Sequence, residues 1–247
     1  MPCEGHSHDH EHAEPDDTNA SLGASLRPQI DFPSVQCLNE SQPNSGREIL
    51  KYYEDRMTST PVLTSQDDPD EDPELLLIVP FTEPVGMKSL SVLSYADAPN
   101  ATRNNDTSAP RTVRIYVNRP NLDFETVRDL EPTATLTLVP PAHQWDEEHS
   151  PEGGTIDYPL RPQGRFQNVS EIALYFCDNY AMPEGAGGSN DMDDTDEDRV
   201  PTEISYVGFK GKGTNFKRKA VEAVYETRGM KKDHKTPGNE YFGREGV

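Results

Sequence analysis

Four histidines alternate near the start of the chain, in CEGHSHDHEH, where His6, His8, His10 and His12 follow Cys3. Imidazoles on a flexible segment can close around Zn2+, Ni2+ or Cu2+. With no rigid outer layer of hydrogen bonds to orient the rings, such binding is adventitious and pH-sensitive. No resident metal is therefore expected. Metal handling through the tail stands as one alternative function. Carboxylates cluster twice more. Asp70, Glu71, Asp72 and Glu74 surround Pro73 and lead into Leu75, Leu76, Leu77, Ile78 and Val79, and six acids fall among the eight residues from Asp191 to Asp198. A calcium loop needs glycine at its sixth place. Counted from Asp67 that place is Asp72, and counted from Asp191 it is Asp196, with Thr202 where the closing Glu belongs. Neither cluster is an EF-hand. Catalytic carboxylates need unlike environments to separate their pKa values, and a solvated run gives them the same one.

The remaining catalytic patterns also fail. In VGFKGKGT (207–214), Gly208 and Gly213 have the separation of a phosphate loop, but Thr214 stands where Lys is required. Neither G-x-S-x-G nor H-E-x-x-H occurs. Of seven histidines, four are in the tail, His143 and His149 sit in an expected loop, and His234 is near the other end. A nucleophile would have to recruit its base from such places. Cys3, Cys37 and Cys177 are far apart, with no C-x-x-C, so neither a disulfide framework nor redox chemistry is expected. Cys37 and Cys177 read as buried thiols. The chain is read as a non-enzyme without cofactor.

Composition narrows the class further. Of 247 residues, 32% are hydrophobic and 22 are Pro, which is lean for a wholly folded chain. The longest apolar run is Leu75 to Val79, too short to span a membrane. The first residues have no basic and then apolar pattern of a leader. A cytoplasmic home is expected, with the nucleus open to it as well, and the four N-x-S/T sites at Asn39, Asn100, Asn105 and Asn168 read as chance. The net charge of −21 is uneven: from residue 209 onward ten Lys and Arg face five Asp and Glu, so the preceding 208 residues carry −26. So acidic a body repels phosphate backbones, which argues against nucleic acid. A monomer is expected.

Positioning falls to short runs of strand type. SLSVLSY (89–95), RTVRIYVN (111–118), TATLTLV (133–139), EIALYFC (171–177), EISYVGF (203–209) and KAVEAVYE (219–226) are rich in β-branched and aromatic residues at a period of two. GREILKYYEDRM (46–57) could form one helix, with Ile49, Tyr52, Tyr53 and Arg56 near one face. Residues 97–110, 140–158 and 181–201 read as loops, the last of them long and acidic. Many strands and few helices predict an all-β jelly-roll sandwich. A strand with five consecutive apolar residues is buried on both faces. The acids and Pro73 before it then act as gatekeepers against aggregation.

Six stretches in order, VQCLNES (35–41), ELLLIVPFTEPVGMKSLSV (74–92), RIYVNRPNLDFE (114–125), RFQNVSEIALYF (165–176), ISYVGFKG (204–211) and VYETRGMKKDHK (224–235), closely resemble the PITH domain family, the proteasome-interacting domain of thioredoxin-like proteins. The resemblance implies a galactose-binding-like jelly roll over 26–235, between a disordered His- and acid-rich tail (1–25) and a flexible end (236–247). It also implies a docking role with the proteasome regulatory particle as partner. With no thioredoxin domain or C-x-x-C before it, the chain is similar to stand-alone members, and oxidoreductase activity is not carried over. A sugar-like ligand held in the loops, near Trp145, is a further alternative. The contact surface read from the residues is the basic stretch Lys210, Lys212, Lys217, Arg218 and Lys219 with Arg228, Lys231 and Lys232, a positive patch suited to steering toward an acidic partner.

Overall fold

The five apolar residues after Glu74 open a single strand of nineteen residues. In a computed structural model that describes residues 22–67, 72–96, 106–140, 143, 156–182 and 200–213, the strands are β1 (Ala24–Ser25), β2 (Gln36–Leu38), β3 (Leu63–Thr64), β4 (Leu75–Leu93), β5 (Pro110–Val117), β6 (Ala134–Thr137), β7 (Ile156–Pro159), β8 (Val169–Asn179), β9 (Glu203–Ile204) and β10 (Tyr206–Gly213). Two short helices, α1 (Ser45–Glu48) and α2 (Phe124–Asp129), join them. The chain divides into units Met1–Asn215 and Phe216–Val247, and the second lies outside the described residues. So do the expected strand at 219–226, Trp145, the His tail and the acidic run 191–198.

β4 builds both layers of the sandwich. Its first half pairs antiparallel with β8 and β2, and β8 continues to β5 and β6. Its second half pairs with β10 and β7, and β1 lies beyond β10. Between the halves the register against β8 shifts from Pro80↔Glu171 to Val85↔Val169. Proline has no amide to give a ladder and settles at such irregularities. That is why Pro80 and Pro84 mark a bend rather than the strand end that prolines suggest in sequence. The result is an all-β jelly-roll sandwich.

Period-two alternation divides the apolar residues between two cores. Leu75, Leu77 and Val79 of β4, Val113 and Ile115 of β5, and Ile172, Leu174 and Phe176 of β8 enter the main core, where they meet Met87, Leu90, Val92, Val207 and Phe209. Leu76, Tyr116, Ala173, Tyr175 and Cys177 point the other way and are covered by Leu122 and Val127 of the α2 region. The opening strand is therefore buried on both faces, as its composition predicts. Each such side chain contributes about 1.5–3 kcal/mol when removed from water.

Local chemistry explains the turns. The five non-glycine residues with positive φ among the described residues are all asparagines: Asn39, Asn44, Asn118, Asn121 and Asn168. Asparagine tolerates this region because its short amide bonds locally. Asn118 Oδ1 accepts from Ser170 N at 2.8 Å and its Nδ2 donates to Asn168 O at 3.0 Å, which staples the end of β5 to the start of β8. The expected helix over 46–57 is shorter than its periodicity suggests. Ile49 O accepts from Val207 N and Leu50 O from Arg27 Nε, so carbonyls that would continue the helix serve other elements. Tyr52 turns extended, at ψ 153°. A second departure is β7, which begins inside the expected loop 140–158.

Candidate functional site

Of the eight basic residues read from sequence as the contact surface, Lys210 and Lys212 lie among the described residues. Lys212 is exposed on β10. Lys210 is only 7% exposed. Its Nζ stands 2.6 Å from Asp157 Oδ2 and 4.4 Å from the centroid of the Tyr53 ring. Its charge is thus spent on holding β10, β7 and the 50–58 segment together, and not on solvent. Asp157 also accepts from the Ser91 hydroxyl. Lys217, Arg218, Lys219, Arg228, Lys231 and Lys232 lie outside the described residues.

The glycines of the phosphate-loop-like stretch have a packing role. A Cβ at Gly208 would sit 2.2 Å from the Tyr206 hydroxyl, and one at Gly211 would sit 2.1 Å from Gly86 O. These positions are small because the Tyr206 ring and β4 press on them.

The acids before β4 have a structural end point. Glu74 is 2% exposed. Its Oε1 accepts from the Tyr175 hydroxyl at 2.5 Å and its Oε2 from Arg128 Nη2 at 2.7 Å. Burial pushes its carboxyl up, while the bonds from Tyr175 and Arg128 pull it down. Asn39 Nδ2 donates to Glu74 O at 2.8 Å. The network joins the start of β4 to β8 and α2. Of the two described cysteines, Cys177 is buried and Cys37 is half-buried rather than the fully buried thiol expected; burial pushes the Cys177 thiol up to about 11, and Cys37 is raised as well. Neither is a nucleophile at neutral pH. Among the described residues no group of three or more His, Cys, Asp or Glu could hold a metal ion.

The surface best organised for contact lies on the 27–56 side. Tyr52 is 57% exposed, the one large hydrophobic so exposed among the described residues. A lone exposed aromatic is ordinary. This one is held in place: the Arg27 guanidinium lies 3.6 Å from the Tyr52 ring centroid and 4.7 Å from that of Phe32. Arg27 is itself fixed by its Nε bond to Leu50 O at 2.9 Å, and Arg47 Nη2 donates to Pro33 O at 3.3 Å beside it. Aromatic and arginine side chains with their rotamers already restricted lose little entropy when a partner covers them. The sequence signal was the run KYYEDR (51–56), whose aromatic and basic residues read as a helix face. The contribution of Arg27 and Phe32, some twenty residues away, needed the tertiary fold.

At the other end of the second layer, Leu22, Lys88, Pro159, Arg161, Pro162 and Gln163 line an open cleft of about 800 Å3. No described helix is long and apolar enough to cross a membrane.

The family model for the PITH domain matches residues 16–229. PITH domain-containing protein CG6153 of Drosophila melanogaster is 31% identical over 247 residues, covering 97% of each chain. PITH domain-containing protein 1 of Homo sapiens is 28% identical over 222 residues, 90% of this chain and 84% of that one. The names of these relatives carry no enzymatic activity. Among solved structures, CBM32-3 from a Clostridium perfringens family 31 glycoside hydrolase is 8% identical with a TM-score of 0.45, covering 79% of this chain and 98% of that one. The family 32 module of C. perfringens NanJ, in complex with galactose, has a TM-score of 0.43 at 6% identity, over 75% of this chain and 96% of that one. Likenesses this distant bring no sugar site to the present chain.

Proposed function

The chain belongs to the PITH domain family, and from that premise we propose that it is a non-enzymatic docking module whose partner is the proteasome regulatory particle or a related assembly. The observation that carries the reading is the Tyr52 ring, exposed and fixed over Arg27 beside Phe32. Interfaces concentrate their free energy in such anchors, with tyrosine and arginine over-represented. The exposed Lys212 and the basic residues beyond it add long-range attraction toward an acidic partner, screened over roughly 10 Å at about 0.1 M salt. A buried Cys177 thiol and a buried Glu74 network fit a scaffold better than a reaction centre.

The reading is tested by sedimenting the purified chain with purified regulatory particle through a glycerol gradient. Stoichiometric co-migration is expected, weakening as salt rises. A chain that stays at the top of the gradient at every salt concentration contradicts the proposed partner.

A further inference from the structure

The fold pairs Arg111 with Asp178, Arg128 with Glu74 and Lys210 with Asp157, each time with a largely buried carboxylate. On the 27–56 side it pins two more arginines and gives neither a carboxylate. Arg27 Nε donates to Leu50 O at 2.9 Å, and its Cζ lies 3.6 Å from the Tyr52 ring centroid. That separation sets the guanidinium plane against the ring, and the Nη1–Nη2 end has no acceptor among the described residues. Arg47 Nη2 donates to Pro33 O at 3.3 Å, and its Nε is shut off from water with no acceptor. The two guanidiniums touch consecutive residues, since Arg27 also lies against the Phe32 ring. Two nearby acids are engaged elsewhere: Asp31 accepts from the Ser34 hydroxyl at 2.8 Å, and Glu40 accepts from Asn44 N at 2.6 Å and Gly46 N at 2.9 Å. Glu48, Glu54 and Asp55 are exposed and make no ion pair with Arg27 or Arg47.

On a chain of net charge −21, two pinned guanidiniums without a counter-charge are set to receive one. We propose that Arg27 and Arg47 receive a carboxylate of the docking partner, an Asp or Glu side chain of a protein segment, while apolar atoms beside it cover Tyr52. The inference rests on the docking reading and says what that surface binds. A guanidinium presents paired N–H donors that match the two oxygens of a carboxylate. With Nε of Arg27 taken by Leu50 O, the free pair is Nη1 and Nη2, at the tip of the side chain. Nε of Arg47 has lost its water without gaining a bond, so part of the desolvation cost of an interfacial ion pair precedes binding. Stacking on Tyr52 holds the Arg27 fork in place, which reduces the rotamer freedom lost when the carboxylate arrives. A multiply charged anion such as phosphate meets more repulsion from the acidic body than a single carboxylate does.

The test titrates the isotope-labelled full chain with a peptide capped at both ends, Gly-Leu-Glu-Leu-Gly, and reads the Nε–Hε signals of Arg27 and Arg47 and the backbone amide of Tyr52. Saturable shifts at all three are expected. The same peptide with Gln in place of Glu should bind about tenfold more weakly. The Glu peptide should lose about the same factor against Arg27→Lys, which keeps the charge without the fork, and against Arg47→Gln, which leaves the Tyr52 stack in place. Equal binding of both peptides overturns the proposal, and so does a parent chain whose Nε–Hε signals do not respond. Inorganic phosphate that saturates the same signals at lower concentration than the peptide also overturns it, since the site is then one for phosphate. Sedimentation with the regulatory particle separates this inference from the partner's identity. A chain that takes up the peptide but not the particle supports the carboxylate fork and removes the named partner. A particle bound equally by the parent and by Arg27→Lys/Arg47→Gln keeps the partner and overturns the fork. Unchanged amide dispersion elsewhere in the spectrum shows that the variants remain folded.

Discussion

Glu74 is the residue on which the acidic lead-in turns from solvent to structure. Its carboxylate bonds Tyr175 and Arg128 beneath α2. Replacing it with Ala leaves a buried hydroxyl and a guanidinium without their acceptor, and the Arg128 side chain is 34% exposed and can recover some solvation. The expected loss is about 2–3 kcal/mol in urea unfolding, with Glu74→Gln losing less. A Glu74→Ala variant as stable as the parent would show that the network is incidental. The cysteines give a second prediction at this scale. The Cys177 thiol is raised to about 11 by burial. Its ionised fraction at pH 8 is then about one in a thousand by the pKa difference alone. In the folded protein Cys177 should stay unmodified by a thiol reagent and react only after denaturant is added. A raised pKa gives stability that is fully present below the unfolded thiol value, near 8.5, and is lost as pH climbs through 11. Melting temperature should therefore decline across that alkaline window.

At the scale of elements, β4 is the organising piece, and its two halves were differently legible. The run Leu75 to Val79 and the run at 89–95 both read as strands from composition. That they are one strand folded across both layers was hidden by Pro80 and Pro84, because proline's punctuation in sequence does not distinguish an end from a bend. β5, β6 and β8 were recovered within a few residues because alternation survives wherever one face meets a core. The periodicity at 46–57 overstates the helix because it belongs to side chains that face several different neighbours. α2 is not evident from periodicity, although Asp123 and Thr126 form a reciprocal capping box. A six-residue helix is too short for periodicity to reveal, so the box was the one available signal. The element is held from below by Tyr116, whose hydroxyl donates to Val127 O at 2.6 Å. Tyr116→Phe should cost about 1 kcal/mol and leave the Val127 carbonyl short of a donor. Amide exchange should quicken across 124–130 while the β4–β8 ladder keeps its protection. Uniform loosening of all strands would contradict the picture of α2 as a locally attached cover.

For the whole molecule, family and fold could be read from six ordered stretches of sequence, but the contact surface could not. Charge counting points to lysines, and it cannot tell that Lys210 faces Asp157 and Tyr53 rather than water. Nor can it bring Arg27 and Phe32 against Tyr52 across twenty or more residues of chain. On the proposed reading, this fixed aromatic–arginine patch anchors a protein partner. The decisive measurement is the affinity of immobilised proteasome regulatory particle for the parent chain, Tyr52→Phe and Tyr52→Ala. Loss of an anchor costs about 2 kcal/mol, or roughly a thirtyfold rise in Kd, so Tyr52→Ala should bind about thirtyfold more weakly. Tyr52→Phe keeps the ring over Arg27 and should stay within about threefold of the parent. Equal affinity for all three chains, or no binding by any, would contradict the claim.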